Sequence, residues 1–240
     1  ASSACGGAVA TGVMAAPPAK RARGPGGAGG VSSPPAPACF RPGALGGASA
    51  AALAAAYRSA RPYPHCQVCG LCDNASLRAV RDELVANVQA TFKETDLFKV
   101  FQTGDLGTLE ERDPALAAKA PALLALRDAL YSPEFRAFVR GVTGAPPLSA
   151  RQDCSANAYA EGGHLLCHDD VIGTRAVSYI LYLTDPDEPW GPEDGGALEL
   201  HPVDEGSGEP APAPSTALTP AWNSMVLFAV QPGVSYHAVQ

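Results

Sequence analysis

At 240 residues and 46% apolar content, the chain has room for one β-rich domain with a sizeable core plus a tail. Residues 1–72 carry six basic side chains and no acid, leaving 11 basic against 24 acidic residues in 73–240. An acidic body argues against a general nucleic-acid-binding surface, since phosphate affinity comes from clustered Lys and Arg. No apolar run approaches the roughly 20 residues that span a bilayer, so a soluble protein with no membrane contact is expected. Seven cysteines, an odd number in a chain this long, favour reduced thiols in cytosol, nucleus or an organelle stroma, with no structural disulfide.

Residues 1–46 are dominated by Gly, Ala, Pro and Ser. That composition buries too little surface to offset chain entropy, and a disordered tail is expected. Within it, Lys20-Arg21-Ala22-Arg23 reads as a short nuclear-import patch, while the acid-free, Ser/Ala/Arg-rich composition also resembles an organellar transit peptide. The expected location is nucleus or cytoplasm, with an organelle as the alternative. A chain that opens on Ala1 and stops three residues after His237 also reads as a fragment at both ends.

Residues 48–60 predict a short helix stopped by Pro62 and Pro64, and 65–71 a strand. Behind an Asp-Asn start, apolar residues at 77, 80, 84, 85 and 88 predict an amphipathic helix over 73–90. Further helices are expected over 116–130 and 133–142. From Asp153 the pattern turns to strands, at 154–160, 164–169, 176–183, 196–201, 224–230 and 234–239. Residues 202–220, rich in Pro, Glu, Ala and Ser, read as an exposed loop. Residues 47–150 are thus a helical and strand support region and 151–240 a strand-rich core, an α+β order.

The core contains HLLCHDDVIGTR, answered 67 residues after Asp170 by His237 in VSYHAVQ. Residues two apart on a strand share a face, so His168 and Asp170 converge while Asp169 faces away. His237 must then come from a neighbouring strand, beyond the turn Gln231-Pro232-Gly233. Two imidazoles and one carboxylate on one face of an octahedral ion leave three positions open, which suits non-haem iron(II) and oxygenase chemistry.

Other arrangements are weaker. Cys66-x-x-Cys69-x-x-Cys72 has thiolate-cluster spacing, but Ser76 stands where a fourth ligand would be, and strand-end cysteines are the better account. Cys167 and His168 point to opposite faces and cannot act as nucleophile and base. His164 shares the His168 face but lies roughly 13 Å away at strand rise. His201 reads as an exposed strand tip. By parity Tyr179 is a core aromatic and Tyr182 faces the other way.

In order, CHDDVIGTRAVSYILYLTDPDEPW, EDGGALEL and WNSMVLFAVQPGVSYHAVQ make the chain similar to the ribosomal prolyl 3-hydroxylases, as do PYPHC, KETDLFKVFQTGDL and PALLALRDALYSPEFR. These are iron(II)- and 2-oxoglutarate-dependent oxygenases related to the yeast termination and polyadenylation factor, and the likeness, strongest to green-plant and algal members, runs from about Pro62 to Gln240. It implies a double-stranded β-helix, or jelly roll, with supporting N-terminal helices. It further implies that His168, Asp170 and His237 hold iron(II), that Tyr182 hydrogen-bonds the far carboxylate of 2-oxoglutarate, and that Tyr159 lines the pocket. Dioxygen is the second co-substrate, ascorbate the reductant, and one proline of a small-subunit ribosomal protein the target, with no direct nucleic-acid contact.

In the family an Arg about a dozen residues beyond the distal His pairs with the 2-oxoglutarate carboxylate, and Arg175 is the last basic residue of these 240. Two alternatives therefore stand beside the resemblance: a prolyl 4-hydroxylase or other protein hydroxylase, since the triad does not encode which carbon is attacked, and a non-catalytic jelly-roll binding module.

Overall fold

The run RAVSYILYL alternates residues of two characters, and it forms the long strand β7 (Arg175–Leu183) on which both layers of the molecule are built. The computed structural model describes residues 39–240 in full and residues 8–15 as backbone. In chain order the elements before β7 are β1 (Ala8–Ala15), α1 (Gly47–Ser59), β2 (His65–Cys69), α2 (Asn74–Asn87), β3 (Thr91–Glu94), β4 (Phe98–Gln102), α3 (Leu109–Arg112), α4 (Pro114–Ala117), α5 (Pro121–Leu130), α6 (Pro133–Thr143), β5 (Gln152–Ala158) and β6 (His164–His168). After it come β8 (Leu198–Leu200), β9 (Thr216–Leu218), β10 (Ser224–Ala229) and β11 (His237–Val239).

The strands pair antiparallel in the order β2-β10-β7-β1-β5-β4-β6-β11-β8-β9, with β3 on β4. Strand β4 stitches two halves together, pairing Phe98–Lys99 with β6 and Phe101–Gln102 with β5. The halves face each other: Tyr182, Val226 and Phe228 from one pack with Leu198 and Leu200 from the other. This is the two-layer closure of a jelly roll.

The opposite parity of β7 faces the helices. Val177, Tyr179, Leu181 and Leu183 join Met225 and Leu227 of β10 in a large core with the apolar faces of α2, α5 and α6. Phe135 sits at its centre, stacked on Phe40 and Phe138 and edge-on to Tyr179. Helix ends carry their expected signals. Asp73 accepts from the Ser76 N–H at 2.8 Å at the start of α2, and Ser132 caps α6, which ends on Gly144 at φ 70°.

Several expectations are corrected. Within the tail expected to be disordered, the backbone of Ala8–Ala15 forms a strand between β5 and β7 and pairs antiparallel with both. The alternation Val9-x-Thr11-x-Val13 is a strand signal that bulk composition concealed. Residues 1–7 and 16–38, with the Lys20–Arg23 patch, lie outside the described residues. The helix expected over 116–130 is two helices, because Pro121 opens α5 and Ala120 before it leaves helical geometry. The stretch 202–220 is not all loop: Thr216–Leu218 adds β9 to β8. The last strand starts at His237 rather than 234, because Val234 and Ser235 still donate to the Gln231 carbonyl in the turn. The hairpin β3–β4 carries no strong sequence alternation, and its Phe92 and Phe101 rings pair across the strands at 5.2 Å. Among the described residues no helix is long and apolar enough to cross a membrane.

Candidate metal centre

His168 ends β6 and His237 begins β11, and the two are directly paired in the ladder. Their rings lie 4.3 Å apart between centroids. Asp170 follows two residues after His168 at φ 62°, a left-handed conformation that Asp tolerates better than most residues. One ligating atom from each of His168, Asp170 and His237 lies within 4.8 Å of the others, the only such group of three or more among the described residues. His168 Nε2 is 3.3 Å from Asp170 Oδ1, and His237 Nε2 is 3.7 Å from Oδ2.

Both imidazoles are oriented from behind. Nδ1 of His168 lies 2.8 Å from the Leu166 carbonyl, and Nδ1 of His237 lies 2.9 Å from the Ser235 carbonyl. A carbonyl accepts only, so each Nδ1 carries the proton and each Nε2 presents its lone pair to the centre. That is the donor set a divalent first-row ion needs, and the residues fit iron(II).

Electrostatics agree with that tautomer at His237, whose pKa burial, followed by the neighbouring His168, pushes down to about 4. Burial also disfavours charge on His168, but its hydrogen bond and charge contact with Asp170 outweigh this and raise its pKa above the usual value. For Asp170, burial works against the charge; His168, His237 and the Ser178 hydroxyl more than compensate and hold the carboxyl well below the usual range. A ligand must shed its proton before it binds metal. Metal affinity should therefore fall as pH drops below neutrality, since a raised His168 pKa brings protonation in early; anaerobic iron(II) titrations across pH test this, and a flat profile from pH 8 to about 5.5 would contradict it.

Asp169, expected to face away, ties the site together. Its Oδ2 accepts from the Gly233 N–H at 3.0 Å, and its carbonyl accepts from the Ser235 hydroxyl at 3.1 Å. The turn that delivers His237 is thereby clamped to the segment carrying His168 and Asp170.

The centre opens into a cavity of about 1520 Å³, lined in part by Tyr159, Tyr182, Arg175, Ser178 and Trp190. Tyr182 is 3% exposed, and its inward parity is the one expected. Burial pushes the Tyr159 phenol up to about 12, and raises that of Tyr182 further, so both present neutral hydroxyls. Arg175 lies at the metal end, donating to Asp170 Oδ1 at 3.1 Å. It stands seven positions before Tyr182 on β7, roughly 23 Å along the strand, so it does not serve a carboxylate held at Tyr182.

The remaining histidine and cysteine readings sort out as follows. His164 is half-buried and outside the cluster, its Nδ1 3.1 Å from the Gly162 carbonyl. His201 corrects the expectation of an exposed tip: it is 5% exposed, covered by the segment after β8, with Nδ1 2.9 Å from the Ala211 carbonyl. Cys66 and Cys72 are buried with thiols pushed up to about 12 by that burial, whereas Cys69 is exposed. Cys167, half-buried on the other side of β6, has its thiol raised by burial, the reverse of an activated nucleophile.

Residues 154–240, the stretch holding all three centre residues, match the 2OG-Fe(II) oxygenase superfamily. The chain carries a 2OG-Fe(II) oxygenase domain. Over 179 residues it is 51% identical to the prolyl 3,4-dihydroxylase of Ostreococcus tauri, covering 75% of this chain and 35% of that protein. It is 34% identical over 179 residues to the prolyl 3-hydroxylase of Xenopus laevis, covering 74% of this chain and 32% of the relative. The chain thus spans about a third of the length of these curated relatives. Among solved structures, a prolyl hydroxylase of Trichoplax adhaerens, in complex with a hypoxia inducible factor peptide fragment, aligns with a TM-score of 0.51 at 14% identity. That alignment covers 79% of this chain and 82% of that one, and supports the jelly-roll fold of the oxygenase domain.

Proposed function

We propose that this oxygenase domain hydroxylates a prolyl residue at the 3-position, in a small-subunit ribosomal protein, using iron(II), 2-oxoglutarate and dioxygen, with ascorbate as reductant. The observation that carries the reading is the pairing of His168 with His237 around Asp170, both Nε2 atoms turned inward, at the wall of a cavity that also receives Tyr159 and Tyr182. The names of the relatives, prolyl 3-hydroxylase and prolyl 3,4-dihydroxylase, support proline as target and the 3-position as the carbon attacked.

Iron bound with 2-oxoglutarate supplies the oxidising chemistry, in which dioxygen is split between succinate and the hydroxylated product. The protein's part is placement. His168, Asp170 and His237 would hold the ion, and the cavity they border would admit the small molecules. Tyr182, neutral and buried, would donate a hydrogen bond to a carboxylate of the co-substrate entering the cavity. Tyr159, on the same cavity wall, would help to shape the space open to substrate.

Tyr182→Phe removes one charge-assisted donor and should raise the 2-oxoglutarate concentration needed for half-maximal succinate release by about tenfold or more, with iron affinity unchanged. An unchanged requirement would take Tyr182 out of the co-substrate site. The carbon attacked is decided by hydrolysing the product peptide and separating 3-hydroxyproline from 4-hydroxyproline; the 4-isomer alone would replace this reading with its closest rival.

A further inference from the structure

Asp170 is the one centre residue whose side chain is not aimed by a strand. β6 ends at His168, and the left-handed backbone at Asp170 releases it from strand alternation. Something else must fix its carboxylate, and the structure shows two donors doing so from opposite sides. The Ser178 hydroxyl donates to Oδ2 at 2.6 Å, and Arg175 Nη1 donates to Oδ1 at 3.1 Å.

These donors differ in permanence. Ser178 lies within β7, is 4% exposed, and has a one-carbon side chain held by a strand paired on both edges. Arg175 is the first residue of that strand, on a long flexible side chain that is 27% exposed. Oδ1 is also the oxygen nearer His168 Nε2. An ion entering between the imidazoles can displace the guanidinium from Oδ1, whereas the hydroxyl on Oδ2 has nowhere to go.

Resting on the metal-site reading above, we propose that Ser178 is a positioning residue: its hydroxyl anchors Oδ2 of Asp170 and so presents Oδ1 to the metal, while Arg175 is a displaceable counter-charge on that oxygen. The parity of β7 gives the strand two tasks along one face. Ser178 supports the metal carboxylate and, four residues on, Tyr182 reaches the co-substrate end, with Ile180 between them.

The test is anaerobic metal titration of the full chain, with iron(II) or cobalt(II) against a fluorescent chelator, for wild type, Ser178→Ala, Ser178→Thr and Arg175→Gln. Loss of an outer-sphere partner of a ligand typically weakens metal binding 10–100-fold, and Ser178→Ala should fall by about that much. Ser178→Thr, which restores a hydroxyl, should recover affinity to within a few-fold of wild type, an outcome that a purely steric role for the serine does not give. Arg175→Gln should bind metal at least as tightly as wild type, because it removes a competitor for Oδ1. Circular dichroism of the metal-free variants confirms that each is folded. Ser178→Ala binding like wild type, or Arg175→Gln losing as much as Ser178→Ala, would overturn the assignment. Failure of the wild-type chain itself to bind either ion would instead overturn the metal-site reading on which it rests.

Discussion

Asp170→Ala should give a folded chain that no longer retains iron(II) and releases no succinate from 2-oxoglutarate. Asp170 is the only carboxylate in the cluster; its charge would offset that of a bound ion, and its Oδ1 and Oδ2 face His168 and His237. Removing a direct ligand should cost more than the roughly 10–100-fold that an outer-sphere partner costs. Folding should survive, because the removed contacts are polar and lie at the edge of the apolar core rather than within it. Equilibrium dialysis with iron(II) and a succinate assay check this; retained turnover would remove Asp170 from the centre.

Phe135→Ala should have the largest effect on stability. The ring is fully buried and touches Phe40, Phe138 and Tyr179, joining the segment before α1, α6 and β7 at one point. Truncating a buried Phe typically costs about 3–5 kcal/mol, through lost transfer energy and the cavity left behind. Urea denaturation should show that loss with an unchanged slope. Below the transition, iron affinity should remain near wild type, because the centre lies on the opposite face of β7 from Tyr179. A change under about 1 kcal/mol would mean the helical layer is not what backs the sheet.

How much of this the sequence revealed depends on which force acts. Where strand parity decides, the reading from residues alone succeeds: Val177, Tyr179, Leu181 and Leu183 pack into the helical core, while Tyr182 and Ile180 pack in the smaller cluster between the two sheet halves, as alternation requires. The same rule brings His168 toward the centre. It does not aim Asp170, because the backbone leaves the strand there, and the convergence with His168 arises through a left-handed residue and the Ser178 hydroxyl instead.

Long-range pairing was the harder part. Nothing local distinguishes His237, which is useful to the site, from His201, which is buried under the segment following β8; the difference is which strand each end meets. Likewise Asp169 has an obvious parity but no visible partner in sequence, since Gly233 and Ser235 lie more than 60 positions away. The strand at Ala8–Ala15 escaped because composition averaged over 46 residues hides eight that alternate. Helix breaks at Pro121 were legible in principle, for proline at that position ends one helix as surely as it opens the next.

The measurement that reaches the central claim most directly is X-ray absorption at the iron edge of the anaerobic chain loaded with one equivalent of iron(II). Two imidazoles and one carboxylate should give an octahedral shell of nitrogen and oxygen scatterers, with the outer-shell features of histidine rings and no sulfur. The pattern should be lost in His237→Ala. Sulfur at thiolate distance would place the metal on Cys66, Cys69 and Cys72 instead, and would contradict the assignment of His168, Asp170 and His237 as its ligands.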